Sequence, residues 1–289
     1  DEWREDNKFT SPKASSKKGI TIGWCRACDY KWFQTKEYNP DPAKINEWRL
    51  ARIAKLEQDL AETTKALSFL RNEHKWIAYY EQLEQYQQGR AEWIAAGVSE
   101  EFWLNEWSLG FDHAHEFWHD TAEGWHKHTS PTMTIPVRNL SGEIINIKHR
   151  ILVPFMGDKN NRYRMEYKTG LEPVFISNLS ELQCDVTWLV EGEKKAMNVF
   201  IGIDNPHIQV IGLPKSPSEE MLKSIATKIL VYIPDPDVEP QMKKRIWECS
   251  KGKELRVIEL PDKVDDWALR IMATKEHFRT LYQNSRRII

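Results

Sequence analysis

The chain has 289 residues, with 41 basic and 43 acidic side chains, a formal net charge of −2, and 40% hydrophobic residues. This length suffices for two domains with separate cores, and no segment approaches the roughly 20 consecutive apolar residues of a membrane-spanning helix. The near-neutral charge excludes a polybasic binder but not a local basic groove, and four scattered cysteines exclude a disulfide scaffold. Because no charged-then-apolar leader is present, we expect a protein of the cytoplasm, or of the host cytoplasm if it is viral.

Residues 1–38 combine a polar, Lys- and Ser-rich tail with a short aromatic block that contains Cys25 and Cys28. A Cys-x-x-Cys pair in such a block is half of a zinc ribbon, whereas a structural zinc site needs four ligands. The sequence contains no second pair of this spacing. Two interpretations therefore stay open: a Zn²⁺ site that includes both cysteines, or a cysteine pair without metal.

Residues 39–97 predict a helical insertion. Asp41 as N-cap and Pro42 at the first helical position mark the start of a helix, and no Gly or Pro follows before about residue 86. Alternating spacings of four and three, typical of a heptad seam, connect Leu56, Leu60, Thr63, Leu67, Leu70, His74 and Ile77. The pattern predicts a long helix packed in a hairpin or on a neighbour, with a self-associating coiled coil as the alternative.

Residues 98–182 predict a mixed α/β subdomain with a basic surface. A helix start at Ser99–Glu101 is followed by apolar/polar alternation on both sides of a turn at 139–142, which predicts a β-hairpin. Residues 138–168 hold seven Lys or Arg against three acids. Such a surface suits a polyphosphate or a nucleic-acid backbone, and a solvated strand face is the alternative. The candidates are Lys148 and Arg150, which share one strand face, together with Arg162, Arg164 and Lys168.

His115, Glu116 and His119 spell the HExxH pattern of zinc proteases, in which a helix brings both histidines to one face and the glutamate acts as the base. Charged Asp120 follows directly, and no Gly-x-x-His continuation appears. A minor metal-binding or solvated His-rich loop is therefore the favoured interpretation, and the protease is the alternative.

Residues 183–270 predict a parallel α/β sheet. Four short apolar runs alternate with helical segments, as in strands joined by crossover helices: 186–190, 208–211, 229–233 and 255–260. Ser216–Glu219 reads as a capping box with proline at the first helical position, which predicts a helix over 217–226. Residues 271–289 predict a helical tail.

Acidic residues follow three of these predicted strands: Glu191 and Glu193, then Asp235 and Asp237, then Asp262, Asp265 and Asp266. Ligands of open parallel sheets bind beyond the carboxyl ends of the strands, and clustered carboxylates repel unless a cation lies between them. Hard oxygen ligands at such a rim suit Mg²⁺ with substrate phosphates. Asp235 and Asp237 can face the same side if the strand direction continues. Taken singly, each acid could instead be a helix N-cap.

These acids resemble the motifs of a TOPRIM domain: Val190-Glu191-Gly192-Glu193, then Asp235-Pro236-Asp237, then Asp265-Asp266. The preceding stretch resembles the catalytic core of bacterial-type DNA primases, and the residues after Glu191 are most similar to those of phage and mobile-element primases. The resemblance covers residues 98–270. Its further motifs keep the family order: Trp107-Ser108-Leu109-Gly110-Phe111, Ile135 to Gly142, His149-Arg150, Arg162-Tyr163 and Pro173-Val174-Phe175.

The resemblance implies an α+β fold in which the basic mixed α/β subdomain precedes a TOPRIM domain with a Rossmann-like parallel sheet. It implies a nucleotidyltransferase that makes short RNA primers on single-stranded DNA from ribonucleoside triphosphates, with Mg²⁺ or Mn²⁺ and a replicative helicase as partner. Asp235 and Asp237 would hold the metal with Glu191 nearby, and Asp265 and Asp266 would be further ligands or support them.

The resemblance also implies that Cys25 and Cys28 belong to a zinc-binding domain whose other ligand pair lies upstream of Asp1 or has been lost. Arg150 and Arg162, together with Lys168, would hold triphosphate or template. Two alternatives share the same acids: a TOPRIM nuclease that cleaves DNA, and a catalytically reduced replisome adaptor that binds DNA or a helicase without polymerising.

Overall fold

The computed structural model describes residues 21–25, 30–34, 42–121, 124–155 and 162–288. The chain forms two compact units, residues 1–62 and 63–289, so the division falls inside the segment 39–97 that the sequence predicts as one insertion. In the first unit, β1 (Thr21–Cys25) and β2 (Tyr30–Gln34) pair antiparallel, with Cys25 opposite Tyr30. Cys28 and the predicted N-cap Asp41 lie outside the described residues.

Helix α1 (Pro42–Glu73) begins at the proline predicted for its first position. It ends where His74 adopts a left-handed backbone with a φ of 46°, and α2 (Lys75–Gln85), α3 (Gln87–Ala95) and α4 (Glu101–Glu106) follow. The predicted heptad seam is not continuous, because Leu56 and Leu60 are exposed while Leu70 is buried. The break at His74 also separates Ile77 from the rest of the seam. None of the described helices combines the length and apolar character needed to cross a membrane.

The second unit contains an antiparallel sheet with the strand order β3-β4-β5-β6 among the described residues. Its strands are β3 (Gly110–Thr121), β4 (Gly124–Arg138), β5 (Ile144–Ile151) and β6 (Tyr163–Met165). The predicted hairpin is confirmed as β4 and β5. Asn139 shapes its turn, because the side-chain Oδ1 accepts hydrogen bonds from the backbone N–H groups of Ser141 and Glu143, both at 3.0 Å.

The HExxH residues lie on a strand, so both predictions for them are wrong in their secondary structure. His115 pairs with Ser130 and His119 with His126 across the β3–β4 hairpin. Residues four apart on a strand are about 13 Å apart, whereas one helical turn would bring the histidines together. The zinc-protease geometry is therefore absent from β3.

A second sheet, called the parallel sheet, has the order β12-β11-β10-β8-β9-β7 among the described residues. The strands are β7 (Phe175–Ile176), β8 (Val186–Glu191), β9 (Ile208–Leu213), β10 (Ile229–Tyr232), β11 (Glu254–Val257) and β12 (Arg286–Arg287). The helices are α5 (Glu193–Ile203), α6 (Glu219–Ser224), α7 (Pro240–Cys249), α8 (Val264–Ile271) and α9 (Lys275–Gln283). Strands β8 to β11 are parallel as predicted, and the edge strands β7 and β12 are antiparallel.

Two predicted boundaries in this region shift. The helix predicted over 217–226 is the shorter α6, and its N-cap is Ser218 rather than Ser216, because the Ser218 hydroxyl accepts a hydrogen bond from Met221 N at 3.1 Å. The last parallel strand ends at Val257, three residues before the predicted end. Neither shift changes the strand order.

One hydrophobic core spans both sheets of the second unit. Trp107 lies in it with 1% of its surface exposed, and its indole N–H donates to Ser177 O at 2.7 Å. Its ring packs against Trp103, Phe175 and Phe200. Because these aromatic residues come from helices and strands of both subdomains predicted from the sequence, the two sheets share one buried interior.

One face of the antiparallel sheet carries a buried polar layer, formed by Ser130, Thr132, Thr134 and His149. Nε2 of His149 lies 2.6 Å from Oε2 of Glu166, and Thr132 Oγ1 lies 3.0 Å from the other ring nitrogen. Lys75 and Tyr79 of α2 donate to the same glutamate at 2.7 and 3.1 Å. Buried polar groups are costly unless they are paired, and this network pairs Thr132, His149 and Glu166.

We expect the stability of the protein to fall as pH is lowered. Burial lowers the pKa of His149, so the folded protein holds it neutral while an unfolded chain protonates it below about pH 6.5. Burial opposes ionisation of Glu166, but hydrogen bonds from His149 and Lys75 outweigh burial and lower its pKa to about 2. The Glu166 contribution is therefore complete above about pH 4.3 and lost as pH falls towards its folded pKa.

Urea unfolding at pH 7.5, 5.5, 4 and 3 measures this dependence, since the Glu166 contribution is lost only below about pH 4.3. In Glu166→Gln the free energy of unfolding should fall less steeply at the lowest pH values, because glutamine does not titrate. Parallel losses in the wild type and Glu166→Gln would contradict this assignment.

Candidate functional site

The acidic strand ends meet at one edge of the parallel sheet. Glu191 is the last residue of β8, and Asp235 follows the end of the neighbouring parallel strand β10 by three residues. Burial raises the pKa of Tyr232, and the charges of Glu191 and Asp235 raise it further, since both carboxylates lie near its hydroxyl. We call Glu191, Glu193, Asp235, Asp237 and Asp265 the acidic edge.

Gly192 makes the turn from β8 into α5 possible. Its φ of 84° lies in the left-handed region that side chains disfavour. The carbonyl group of Gly192 also lies so close to β9 that a Cβ on Gly212 would come within 2.7 Å of its oxygen. The two glycines therefore allow the strand end that carries Glu191 to pack tightly against the next strand.

Asp235 and Asp237 do not share one environment. The chain turns after Asp235, where Val238 N donates to its carbonyl oxygen at 3.1 Å, so the strand direction does not continue. Asp235 is buried, whereas the side chain of Asp237 is 72% exposed. The condition on which alternation would place both carboxylates on the same side is therefore not met, yet Lys263 Nζ lies 3.6 Å from each of them.

Lysines pair with the carboxylates of the acidic edge. Lys195, in the first turn of α5, forms an ion pair with Asp235, and Lys194 lies 3.1 Å from Asp265. Burial opposes the charge of Lys263, but Asp235 and Asp237 outweigh burial and raise its pKa. Three lysines therefore neutralise part of the negative charge of these carboxylates, which would otherwise repel one another.

The donor set at this edge fits a divalent cation. All of its ligand atoms are carboxylate oxygens, the ligands that Mg²⁺ prefers, and the buried Oδ1 of Asp265 has no hydrogen-bond partner. The neighbouring Asp266 is exposed. Within the described residues, however, Asp112, His115 and His149 form the only group of three possible metal ligands whose donor atoms lie within 4.8 Å of one another. Glu191, Asp235 and Asp237 are more widely spread.

The antiparallel sheet brings part of the predicted basic surface to this edge. Lys148 of β5 lies 2.8 and 2.9 Å from the two carboxylate oxygens of Glu193 and 4.5 Å from the centre of the Tyr163 ring. Arg150 lies on the same face, because it is two residues further along the strand. The predicted pair therefore forms one surface beside the acids.

The other predicted basic residues are arranged differently. Arg164 pairs with His149 on the opposite face of the sheet, where its guanidinium is 6.0 Å from the Phe117 ring centre. Arg162 and Lys168 are exposed and lie just outside β6. The structure thus separates Arg164 from the face of Lys148 and Arg150.

Sequence reasoning missed the lysines of the site. Lys194 and Lys195 follow the Glu191-Gly192-Glu193 motif directly, and an early position on a helix after a strand end was the available signal. Lys263 gave a similar signal, because it directly precedes helix α8. No sequence pattern pointed to the pairing of Lys148 with Glu193, since it depends on how the two sheets pack.

No protein-family model and no curated protein sequence matches the chain. Solved structures do match. One is the DnaG primase catalytic domain bound to single-stranded DNA, with a TM-score of 0.59 and 15% identity over 78% of this chain and 83% of that one. Another is the E. coli primase catalytic core, with a TM-score of 0.55 and 14% identity over 74% and 79%. The Aquifex aeolicus primase, with zinc-binding and RNA polymerase domains, has a TM-score of 0.57 and 15% identity over 99% and 79%. The chain therefore has the fold of the bacterial-type primase catalytic core.

Proposed function

We propose that the chain is a primase-type nucleotidyltransferase that makes short RNA primers on single-stranded DNA with Mg²⁺ or Mn²⁺. The observation that carries the proposal is the ion pair of Lys148 with Glu193, which joins a basic strand face to the acidic edge. The similarity to a primase domain bound to single-stranded DNA supports the substrate class. A replicative helicase belongs to the proposal as the partner expected of a primase.

Asp235 is the central metal ligand in this proposal, with Glu191, Asp237 and Asp265 as the further candidates. A divalent ion held by these oxygens would supply charge neutralisation at the reacting phosphate and would lower the pKa of the attacking 3′ hydroxyl. Three lysines can leave their carboxylate partners and pair with triphosphate oxygens instead, because a lysine ammonium binds phosphate as a point charge. They are Lys194, Lys195 and Lys263. Asp266 is exposed, so we give it at most a supporting role.

Lys148 and Arg150 bind the template backbone or the incoming nucleotide. Their ammonium and guanidinium groups can neutralise phosphates, and Tyr163 beside Lys148 offers an aromatic ring for stacking. Arg162 and Lys168 extend the exposed basic surface. Arg164 faces the other side of the sheet, so we assign it no nucleotide contact.

For the cysteine pair we propose Zn²⁺ in a domain completed by a second ligand pair. Cys25 ends β1, and Cys28 follows it by three positions in the sequence, the spacing at which two cysteines can bind one zinc ion. One similar structure includes a zinc-binding domain. Zinc content measured before and after replacing both cysteines by serine tests this assignment.

Lys148→Ala is expected to weaken binding to single-stranded DNA and to reduce the slope of log K against log salt by about 0.7, because one phosphate contact is lost. Fluorescence anisotropy at several salt concentrations measures both quantities. Lys228→Ala is the matched control, because Lys228 is an exposed lysine that also pairs with an acid, Asp185. Equal effects of the two substitutions would contradict the assigned role of Lys148.

Primer synthesis tests the proposed reaction: single-stranded DNA, labelled ribonucleotides and Mg²⁺ or Mn²⁺ are incubated with the protein. Short RNA products support the proposal. Bound DNA without product would favour the adaptor, an alternative supported by the lysines that pair with Asp235. Degraded template would identify a nuclease.

A further inference from the structure

The antiparallel sheet brings two histidines and a carboxylate together outside the acidic edge. Asp112, His115 and His149 each offer one donor atom, and these three atoms lie within 4.8 Å of one another. Nδ1 of His115 is 3.2 Å from Oδ2 of Asp112. The rings of His115 and His149 stack with their centres 3.7 Å apart. We call these three residues the histidine cluster.

A β-bulge in β3 creates this cluster. Asp112 lies opposite Thr132 and His115 lies opposite Ser130, so the two residues are three apart on β3 but oppose positions only two apart on β4. In a regular strand, residues three apart point to opposite faces. The bulge places Asp112 and His115 on the same face as the polar layer, and bulges often redirect side chains next to functional sites.

The surroundings hold His149 in one tautomer. Nε2 of His149 faces Oε2 of Glu166 at 2.6 Å, so a hydrogen bond donated to this carboxylate leaves the lone pair on Nδ1, where the Thr132 hydroxyl lies at 3.0 Å. A carboxylate that accepts from one nitrogen is the usual support of a histidine whose other nitrogen binds a metal. Lys75 and Tyr79 fix the position of this carboxylate.

We propose that the histidine cluster binds one divalent transition-metal ion, with Asp112, His115 and His149 as its ligands. Two imidazole nitrogens and one carboxylate oxygen form a donor set that suits Zn²⁺ and neighbouring metals rather than Mg²⁺. The site shares no residue with the acidic edge or with the cysteine pair, and it would tie β3 to β5 beneath α2.

Metal binding requires that the His115 ring turn out of its stack with His149 and that the Thr132 hydroxyl, 3.0 Å from Nδ1 of His149, leave that nitrogen. Donor atoms bound to one zinc ion lie about 3 to 3.5 Å from one another. The three donor atoms of the cluster lie within 4.8 Å of one another, so they must come closer together to bind zinc. The His149 side chain is fully buried and fixed by Glu166, whereas the His115 side chain is 14% exposed. The stacked His115 ring is therefore the one that turns towards the metal.

The experiment uses the tag-free full chain with Cys25→Ser and Cys28→Ser, so that the cysteine pair does not contribute. Zn²⁺ is the probe, measured by calorimetry and by elemental analysis after dialysis. We expect one zinc per chain, and a melting temperature that rises with zinc, because an ion that binds only the folded state stabilises it. Asp112→Asn and His115→Ala should abolish both effects, and Glu166→Gln should weaken binding roughly 10- to 100-fold.

His126→Ala is the matched control, because His126 is an exposed histidine of the same hairpin. It should bind zinc like the parent. Melting curves without metal verify that each variant is folded, and Asp112→Asn keeps the shape of the side chain if His115→Ala does not fold. The proposal is overturned if the parent retains no zinc, if both ligand variants retain it, or if His126→Ala loses it.

Discussion

Asp235→Asn is expected to reduce primer synthesis by at least about 100-fold, the scale of losing one charged group that stabilises a transition state. Asp235 is the most buried carboxylate of the acidic edge, and both Lys195 and Lys263 approach its Oδ2. Asparagine keeps the volume of the side chain but removes the negative charge that a divalent cation needs. The yield of labelled primer with Mg²⁺ and with Mn²⁺ measures the effect.

The matched control is Asp185→Asn, at the opposite end of the strand that carries Glu191. The Asp185 side chain is 71% exposed and pairs with an exposed lysine, so its loss should leave synthesis unchanged. Circular dichroism of both variants checks that they fold. Full activity in Asp235→Asn, or a collapse of its melting temperature, would show that Asp235 is not primarily a metal ligand.

The largest effect on stability is expected from Trp107→Ala, which should lower the free energy of unfolding by about 3 to 5 kcal/mol. The substitution leaves a cavity among Trp103, Phe175 and Phe200 and removes the hydrogen bond to Ser177 O. Urea unfolding followed by circular dichroism measures the loss.

Trp125→Ala provides the comparison, because Trp125 is 67% exposed. Its removal should change the free energy of unfolding by no more than about 0.5 kcal/mol. A loss of similar size in both variants would mean that the shared core does not depend on Trp107. Trp107→Phe should fall between the two, since a ring is kept while the indole N–H is lost.

The sequence predicted those parts of the fold whose local pattern is strong. Buried parallel strands appear as short apolar runs, and the β4–β5 hairpin has both alternation and a clear turn. The break at His74 had no such signal, because neither Gly nor Pro marks it. The long strand β3 was missed because polar residues and histidines interrupt its alternation, and the bulge after Asp112 shifts its period.

The sequence was enough to predict the acidic residues of the candidate site but not the lysines that pair with them. Strand ends in a parallel sheet meet at one edge by topology alone, so Glu191 and Asp235 could be placed together from the sequence. The pairing of Lys148 with Glu193 joins residues 45 positions apart, one on β5 and the other at the start of α5, and it depends on packing that no local pattern encodes. The histidine cluster likewise depends on a register shift that is visible only in three dimensions.

The short edge strands bear on the behaviour of the protein at high concentration. Both outer strands of the parallel sheet, β7 and β12, contain two residues, and β12 consists of two arginines. A long, flat, uncharged edge offers unpaired backbone groups to another molecule and promotes aggregation, whereas short or charged edges resist it. Arg286 and Arg287 therefore protect this edge of the parallel sheet, next to β11, from edge-to-edge association.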